Sequence, residues 1–298
     1  MTGASGFIGV PLTNALASKG TRVVATGRNF PSRGMDSSVL LVKGDLRNLG
    51  FRRRLERILR REKVQAIFHL AAESESTVSI APVHSMLESN VGLTQSVLEM
   101  ARRIRTRYFL FASTAKVYGT THSVAVQEDE IPRPETIYAS TKLAAEALVQ
   151  GYAHTFGFSH HIVRLSNVYS PRSSPSTVVG RVIHLLQKKK PLRMVNLAAV
   201  RDFVFMDDVV SALMVLSALP PSRCGRILNV STGVATTVGE MAAIARENFG
   251  ANRVPILGGR KFGDVLVLSQ RLMRMTTGWR PKWPISRGLA QCQKEGAQ

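Results

Sequence analysis

A doubly wound, parallel α/β sheet is the fold class this sequence predicts, and three observations predict it. Short apolar runs alternate with helical stretches from Thr21 onward, the rhythm of strand–helix–strand units. The chain opens on glycines at three-residue spacing, Gly3, Gly6 and Gly9, directly ahead of a helical stretch. Residues suited to chemistry then fall where such a sheet presents them, with Thr114 after an apolar run and Tyr138 and Lys142 on the helix that follows. Open parallel sheets bind their ligands outside the carboxyl ends of the strands.

The opening turn is Thr2-Gly3-Ala4-Ser5-Gly6-Phe7-Ile8-Gly9. Gly3, Gly6 and Gly9 permit a tight bend, close approach of backbone N–H groups to a pyrophosphate, and close helix packing. Ser5, Phe7 and Ile8 border the same anion site. Val10 to Ser18 reads as the helix, with Pro11 tolerated in its first turn and Gly20 past its end. A buried strand should lead into this turn, yet only Met1 and Thr2 precede Gly3. We therefore expect a truncated first strand, from a start codon placed too late or a trimmed sequence. A protein that began here would have a deficient sheet centre, with lower stability and cofactor affinity.

Thr21 to Thr26 is the next strand. NAD-selective sites carry Asp or Glu at its end, about 20 residues past the glycines, for the ribose 2′-hydroxyl. Here Gly27 and Arg28 follow the strand. Without the acid a 2′-phosphate meets no repulsion, and Arg28 can pair with it bidentately. NADP(H) is the preferred cofactor, and NAD(H) the alternative. Val39 to Val42 is a third strand, followed by Asp45 and Leu46; Asp45 either reaches the adenine amino group or caps the basic helix over 52–62. Val64 to Leu70 runs into Ala71, Ala72 and Ser74, small residues that let cofactor pass over the strand end. His69 reads as a packed strand residue. Ser85 to Arg103 is helical, and Asn90 within it is placed to tie backbone near the site. Tyr108 to Ala112 is the strand that delivers Thr114. A helix through Tyr138 to about Thr155, a strand from His161 to Leu165 and then Asn167 and Val168 follow. Residues 1–168 form a Rossmann-like unit, joined by strands returning from 200–231, and 169–298 form mainly a smaller substrate-binding lobe. That lobe holds helices at 207–218 and 238–249 and two basic features, Arg201 and the Arg260-Lys261 loop.

Tyr138 and Lys142 lie four residues apart and so share a helix face. A free phenol titrates near pH ~10, and an ammonium beside it favours the phenolate. Thr114 can donate to an oxygen that gains charge as hydride arrives at its carbon. Together these groups suit the interconversion of an alcohol and a ketone beside a nicotinamide.

Composition sets the remaining bounds. At 298 residues and 44% hydrophobic, the chain has ample length for a core. It contains no apolar run of about 18 residues that would span a membrane. Cys224 and Cys292 have neither metal nor redox spacing, so no metal is assigned and a reducing cytoplasm is expected. The formal charge of +20 gathers in 52–63, 102–107 and 188–190. Solvated helix faces explain it better than nucleic-acid binding, because the clusters lack interleaved aromatics.

With these residues in view, the sequence resembles the extended short-chain dehydrogenase/reductase family, in its branch of nucleotide-sugar epimerases, dehydratases and reductases. The opening glycine turn, His69-Leu70-Ala71-Ala72, Tyr138-Ala-Ser-Thr-Lys142, Arg164-Leu-Ser-Asn167-Val-Tyr, Arg201-Asp-Phe-Val-Phe-Met-Asp-Asp208 and Lys261-Phe-Gly-Asp264 carry the likeness over nearly the whole chain. The resemblance implies that Thr114 and Tyr138 engage the sugar oxygen and that Lys142 holds the nicotinamide ribose. It also implies a nucleotide-diphosphate sugar substrate gripped by Asn167, Arg201 and Lys261, with Arg260 assisting, and a homodimer through the helices at 85–103 and 138–155. Lys261 and Ser170 depart from the family's usual Arg and Gly. Its 4,6-dehydratases follow the threonine with Asp-Glu, where this chain has Ala115 and Lys116, so dehydration is not expected. Gly27-Arg28 and Ser113-Thr-Ala-Lys116-Val tilt the reading toward NADPH-dependent reduction of a keto group, at C4 of a nucleotide-linked sugar. The first alternative is an NAD(P)-dependent epimerase similar to UDP-glucose 4-epimerases. The second is a non-catalytic relative that holds RNA or an acidic partner.

Overall fold

The computed structural model describes residues 1–32, 34–74, 83–121 and 125–296. After the glycine turn come α1 (Gly9–Ser18), β1 (Val24–Gly27), β2 (Leu40–Lys43), α2 (Leu49–Arg61), β3 (Ala66–His69), α3 (Val83–Leu87), α4 (Leu93–Arg103), β4 (Tyr108–Thr114) and α5 (Ile137–Phe156). Then follow β5 (Ser159–Leu165), β6 (Asn167–Tyr169), α6 (Val178–Gln187), β7 (Leu192–Asn196), β8 (Val200–Arg201), β9 (Phe203–Phe205) and α7 (Met206–Ser217). The chain ends through β10 (Arg226–Val230), β11 (Thr236–Thr237), α8 (Val238–Asn248), β12 (Ile256–Gly259), β13 (Val265–Leu266), α9 (Arg271–Thr277) and α10 (Ile285–Gly296).

The main sheet is parallel throughout. β1 pairs with β2, and β3, β4, β5 and β10 pair in that order. Thr2 bridges the two groups, pairing with Thr26 on one side and His69 on the other. Alternate strand residues feed opposite faces, so both faces are apolar and covered. Leu110, Val163 and Leu228 pack with Leu12 of α1 and Val209 and Leu213 of α7. Phe109, Phe111 and Ile162 pack with Leu55 of α2, Val97 of α4 and Val149 of α5. Each such side chain contributes about 1.5–3 kcal/mol when fully buried.

Several details differ from the sequence reading. The helix expected over Ser85–Arg103 is interrupted by a π turn at Glu88–Gly92, where Asn90 spends its side chain on groups outside the helix. The cap of α2 is Asn48, whose Oδ1 accepts from Phe51 N–H at 2.9 Å; Asp45 does not cap it and is gripped by Arg47 at 2.6 Å. In the smaller unit α6, α8 and α10 bury Val182, Met241 and Leu289 against β7 and β9. The strands there are short, and α6 and α10 fall where no helix was expected. β10 returns to the main sheet beside β5.

Candidate active site

α5 starts where Thr136 caps it, its Oγ1 accepting from Ala139 N–H at 3.2 Å, and ends on Gly157 in the left-handed region at φ 73°. Tyr138 therefore lies in the first turn, half-buried on a cleft, with Lys142 one turn deeper. Thr114 closes β4 and lines the same cleft. Its Oγ1 accepts from Lys116 N–H at 3.3 Å, which leaves the hydroxyl hydrogen to donate toward a substrate oxygen. Lys116 also lines the cleft, its Nζ 5.9 Å from the centre of the Tyr138 ring.

Lys142 is 3% exposed, with its Nζ 4.1 Å over the Phe111 ring. Burial lowers its pKa to about 7, and the nearby Glu146 carboxylate resists that shift. Glu146 is itself buried, accepting from Ser113 Oγ and from Arg164 at 2.7 Å. Arg164 stacks on Tyr118, whose hydroxyl donates to Asn229 at 2.9 Å. Sequence reading missed this network behind the site. Glu146 recurs one turn after Lys142 on the same face, a signal that could have found it; the partners from β4 and β5 become neighbours only in the fold.

The cleft measures about 1100 Å³. Ser5, Gly6, Phe7 and Ile8 form one end at the start of α1, where no side chain caps the helix and its first turn holds no acid. Such an end favours an anion. Gly3 has φ +65°, and a Cβ there would stand 2.6 Å from Ala71 N. At Gly9 a Cβ would meet Gly3 O at 2.1 Å, so this turn is backbone packed on backbone. These features fit a dinucleotide pyrophosphate. Arg28 is exposed just past β1, and a Cβ at Gly27 would lie 2.5 Å from Ser5 Oγ, so the two residues are close neighbours. Leu46 is buried in the core below.

Leu70, Ala71 and Ala72 leave β3 beside the glycine turn. Asn90 is 2% exposed; its Oδ1 accepts from Glu73 N–H at 2.8 Å, and its Nδ2 donates to Glu73 O and Thr141 Oγ1. It therefore ties the loop after β3 to α5. His69 sits between Thr2 and Thr94 hydroxyls at 2.6 and 3.0 Å, and burial lowers its pKa to about 3. It is a packed strand residue.

Toward the smaller unit, Ser74, Asn167, Val168 and Arg201 line the cleft, together with Arg172, Phe203 and Met206. Arg172 was missed because the Ser/Pro-rich stretch around it reads only as loop. Asn167 Nδ2 donates to Asp202 O at 3.2 Å, and Arg201 is paired with Asp264 at 2.7 Å. Arg260 and Lys261 are exposed and lie outside the cleft lining. Their loop is fastened by Asn196, which bonds both Lys261 N–H and Lys261 O.

Known proteins resemble the chain both in sequence and in structure. The profile of the NAD dependent epimerase/dehydratase family matches residues 1–231. A UDP-glucose 4-epimerase of Mycolicibacterium smegmatis is 30% identical over 98% of this chain and 96% of its own. A human dTDP-D-glucose 4,6-dehydratase is 27% identical over 89% of this chain and 77% of its own. Among solved structures, a UDP-glucose 4-epimerase of Thermus thermophilus in complex with NAD superposes with a TM-score of 0.87 at 27% identity, covering 99% of this chain and 97% of that one.

Proposed function

The chain belongs to the NAD dependent epimerase/dehydratase family, and from that premise we propose that it is a nucleotide-sugar 4-epimerase acting on a UDP-linked hexose or hexuronate. One observation carries the reading: Thr114 and Tyr138 line a single cleft between the glycine turn and Asn167 with Arg201. At about 1100 Å³ that cleft exceeds what one small ligand requires.

Tyr138 takes the proton of the sugar 4-hydroxyl as C4 is oxidised, and returns it to the same oxygen after the sugar has turned its other face. Thr114 donates to that oxygen and holds it in line. Lys142 holds the ribose and, when charged, favours the Tyr138 phenolate. The dinucleotide, when bound, supplies hydride acceptance and return. Ser5 to Ile8 and the start of α1 hold its pyrophosphate, with Asp45 and Leu46 toward the adenine and Leu70, Ala71, Ala72 and Val168 along its path. Ser74 and Asn167 contact the nucleotide sugar, and Arg201 neutralises the diphosphate, assisted by Arg260 and Lys261 from the exposed loop that precedes its partner Asp264. A homodimer through α4 and α5 is part of the proposal.

Dehydration is disfavoured because Ala115 and Lys116 supply no acid–base pair after Thr114. Keto reduction by NADPH, the first reading of the sequence, has less support than its epimerase alternative. A relative matched over 96% of its own length is a UDP-glucose 4-epimerase, and a solved UDP-glucose 4-epimerase that the chain resembles is in complex with NAD. Incubation with UDP-glucose and UDP-glucuronate should yield the 4-epimer with no net change in nicotinamide absorbance. Stoichiometric NADPH consumption by a 4-keto sugar nucleotide, with no epimer formed, would reinstate reduction.

Cofactor preference is a separate proposal, resting on exposed Arg28 and the missing carboxylate at Gly27. Arg28→Ala should weaken NADPH binding at least ~10-fold and leave NADH nearly unchanged. Equal losses in titrations of both would remove Arg28 from cofactor selection.

A further inference from the structure

Lys116 stands at the reacting end of the cleft, and the reaction proposed above gives its ammonium no task. It lies in the short turn Ala115–Tyr118 that follows Thr114. Ala115, Val117 and Tyr118 anchor this turn in a cluster with Val126 and Leu268. Lys116 N–H donates to Thr114 Oγ1 at 3.3 Å, so the backbone beneath the side chain is held as well. Lys116 is the exposed member of the turn, and it lines the cleft with its Nζ 5.9 Å from the centre of the Tyr138 ring.

Positive charge is divided between the two ends of the cleft. Arg172 and Arg201 line it toward the smaller unit, and Lys116 lines it beside Thr114 and Tyr138. Among the described residues, the carboxylates in its lining are Asp207, in the first turn of α7, and Glu295, in the last turn of α10. Neither belongs to β4, α5 or the segment between them.

A sugar nucleotide would lie along this axis. Its diphosphate is attached at C1, and C4 lies opposite across the pyranose ring. With the diphosphate at Arg201 and the C4 oxygen at Thr114 and Tyr138, the groups at the reacting end are those on C3 and C5. C3 carries a hydroxyl. C5 carries C6, which is a neutral hydroxymethyl in a hexose and a carboxylate in a hexuronate. An ammonium bonds a hydroxyl in either sugar, but its contact with a carboxylate is ionic on both sides and stronger. A ligand that is anionic at both ends therefore complements a cleft that offers cations at both ends.

We infer that Lys116 determines specificity: its ammonium pairs with a carboxylate on C5 of the bound sugar, so the chain prefers a nucleotide hexuronate to the matching neutral hexose. The inference rests on the epimerase reading for the placement of the C4 oxygen and narrows the substrate class within it.

The test compares UDP-glucuronate with UDP-glucose on the full chain with NAD present, and on its Lys116→Met, Lys116→Arg and Lys116→Glu variants. Lys116→Gln replaces the methionine variant should that one fail to fold. Epimerisation assays give kcat/KM for each sugar, and calorimetry gives each Kd. The unaltered chain should favour UDP-glucuronate by ~10-fold or more in kcat/KM. Lys116→Met should lower that ratio at least ~10-fold, chiefly through the KM of UDP-glucuronate. Lys116→Arg should retain most of the preference, and Lys116→Glu should turn it toward UDP-glucose. An unchanged ratio in Lys116→Met, with both sugars epimerised, overturns the role of Lys116 and leaves the epimerase reading standing. A parallel loss on both sugars makes Lys116 a general contact and overturns its role in selection. Should neither sugar be epimerised while the Kd ratio still falls in Lys116→Met, the epimerase reading fails and the pairing with a carboxylate stands. Binding of neither sugar overturns both.

Discussion

In the proposed reaction, Tyr138 and Lys142 divide their task by depth. The phenol borders the cleft, and the ammonium lies behind it over Phe111. Tyr138→Phe keeps the ring and removes the proton carrier, so turnover should fall by ~10²–10⁴ while cofactor binding is retained. Rates in single-turnover assays beside a cofactor titration check this, and an undiminished rate would strip Tyr138 of its role. At this scale the sequence was informative wherever spacing alone fixes geometry: a helix puts Tyr138 and Lys142 on one face whatever surrounds it. It was uninformative where a partner comes from elsewhere. The sequence offers Asp45 either the adenine amino group or a helix cap, and only the folded loop reveals that Arg47 grips the carboxylate.

α5 does more than present two side chains. Its buried face carries Lys142 and then Glu146, and Glu146 meets Arg164 from β5 with both side chains at most 3% exposed. Glu146→Gln leaves Arg164 without its counter-charge, and removing one partner of a buried pair costs about 3–5 kcal/mol. Tm should drop by roughly 5–15 °C. The same change withdraws the carboxylate that supports the charged form of Lys142, pushing its pKa further below about 7. The alkaline limb of the pH–rate profile should therefore move to lower pH, a shift that mere loosening would not produce. Elements of the main sheet were legible because buried parallel strands are short continuous apolar runs. The smaller unit was less so: β8, β11 and β13 are two residues each, too brief for any period to register. The π turn was hidden because the partners of its Asn90, Glu73 and Thr141, become neighbours only in the fold.

For the molecule as a whole, buried titratable groups set the response to acid. His69 has its folded pKa lowered from 6.5 to about 3. The unfolded chain gains a proton below pH 6.5 that the folded one refuses, so stability is lost as pH falls from 6.5 toward about 3. Lys142 acts in the same direction between pH 10.5 and about 7. Asp202, raised from 3.8 to about 6 by burial, opposes them between those values. Thermal melts at pH 7 and pH 5 should show the lower Tm at pH 5. The gap should narrow in His69→Gln, even though that variant starts lower for want of one hydroxyl contact. An unchanged gap would locate the acid sensitivity elsewhere.

Gly27 and Ser5 touch across the turn: one has no side chain, and the other occupies the space a side chain would need. An aspartate in place of Gly27, the change that the proposed cofactor preference invites, thus concerns two positions. Gly27→Asp on its own would turn the Ser5 hydroxyl aside at the edge of the cleft, and pairing it with Ser5→Gly removes that neighbour. A change of residue at Gly27 would therefore register first at Ser5, in how well the turn still holds an anion.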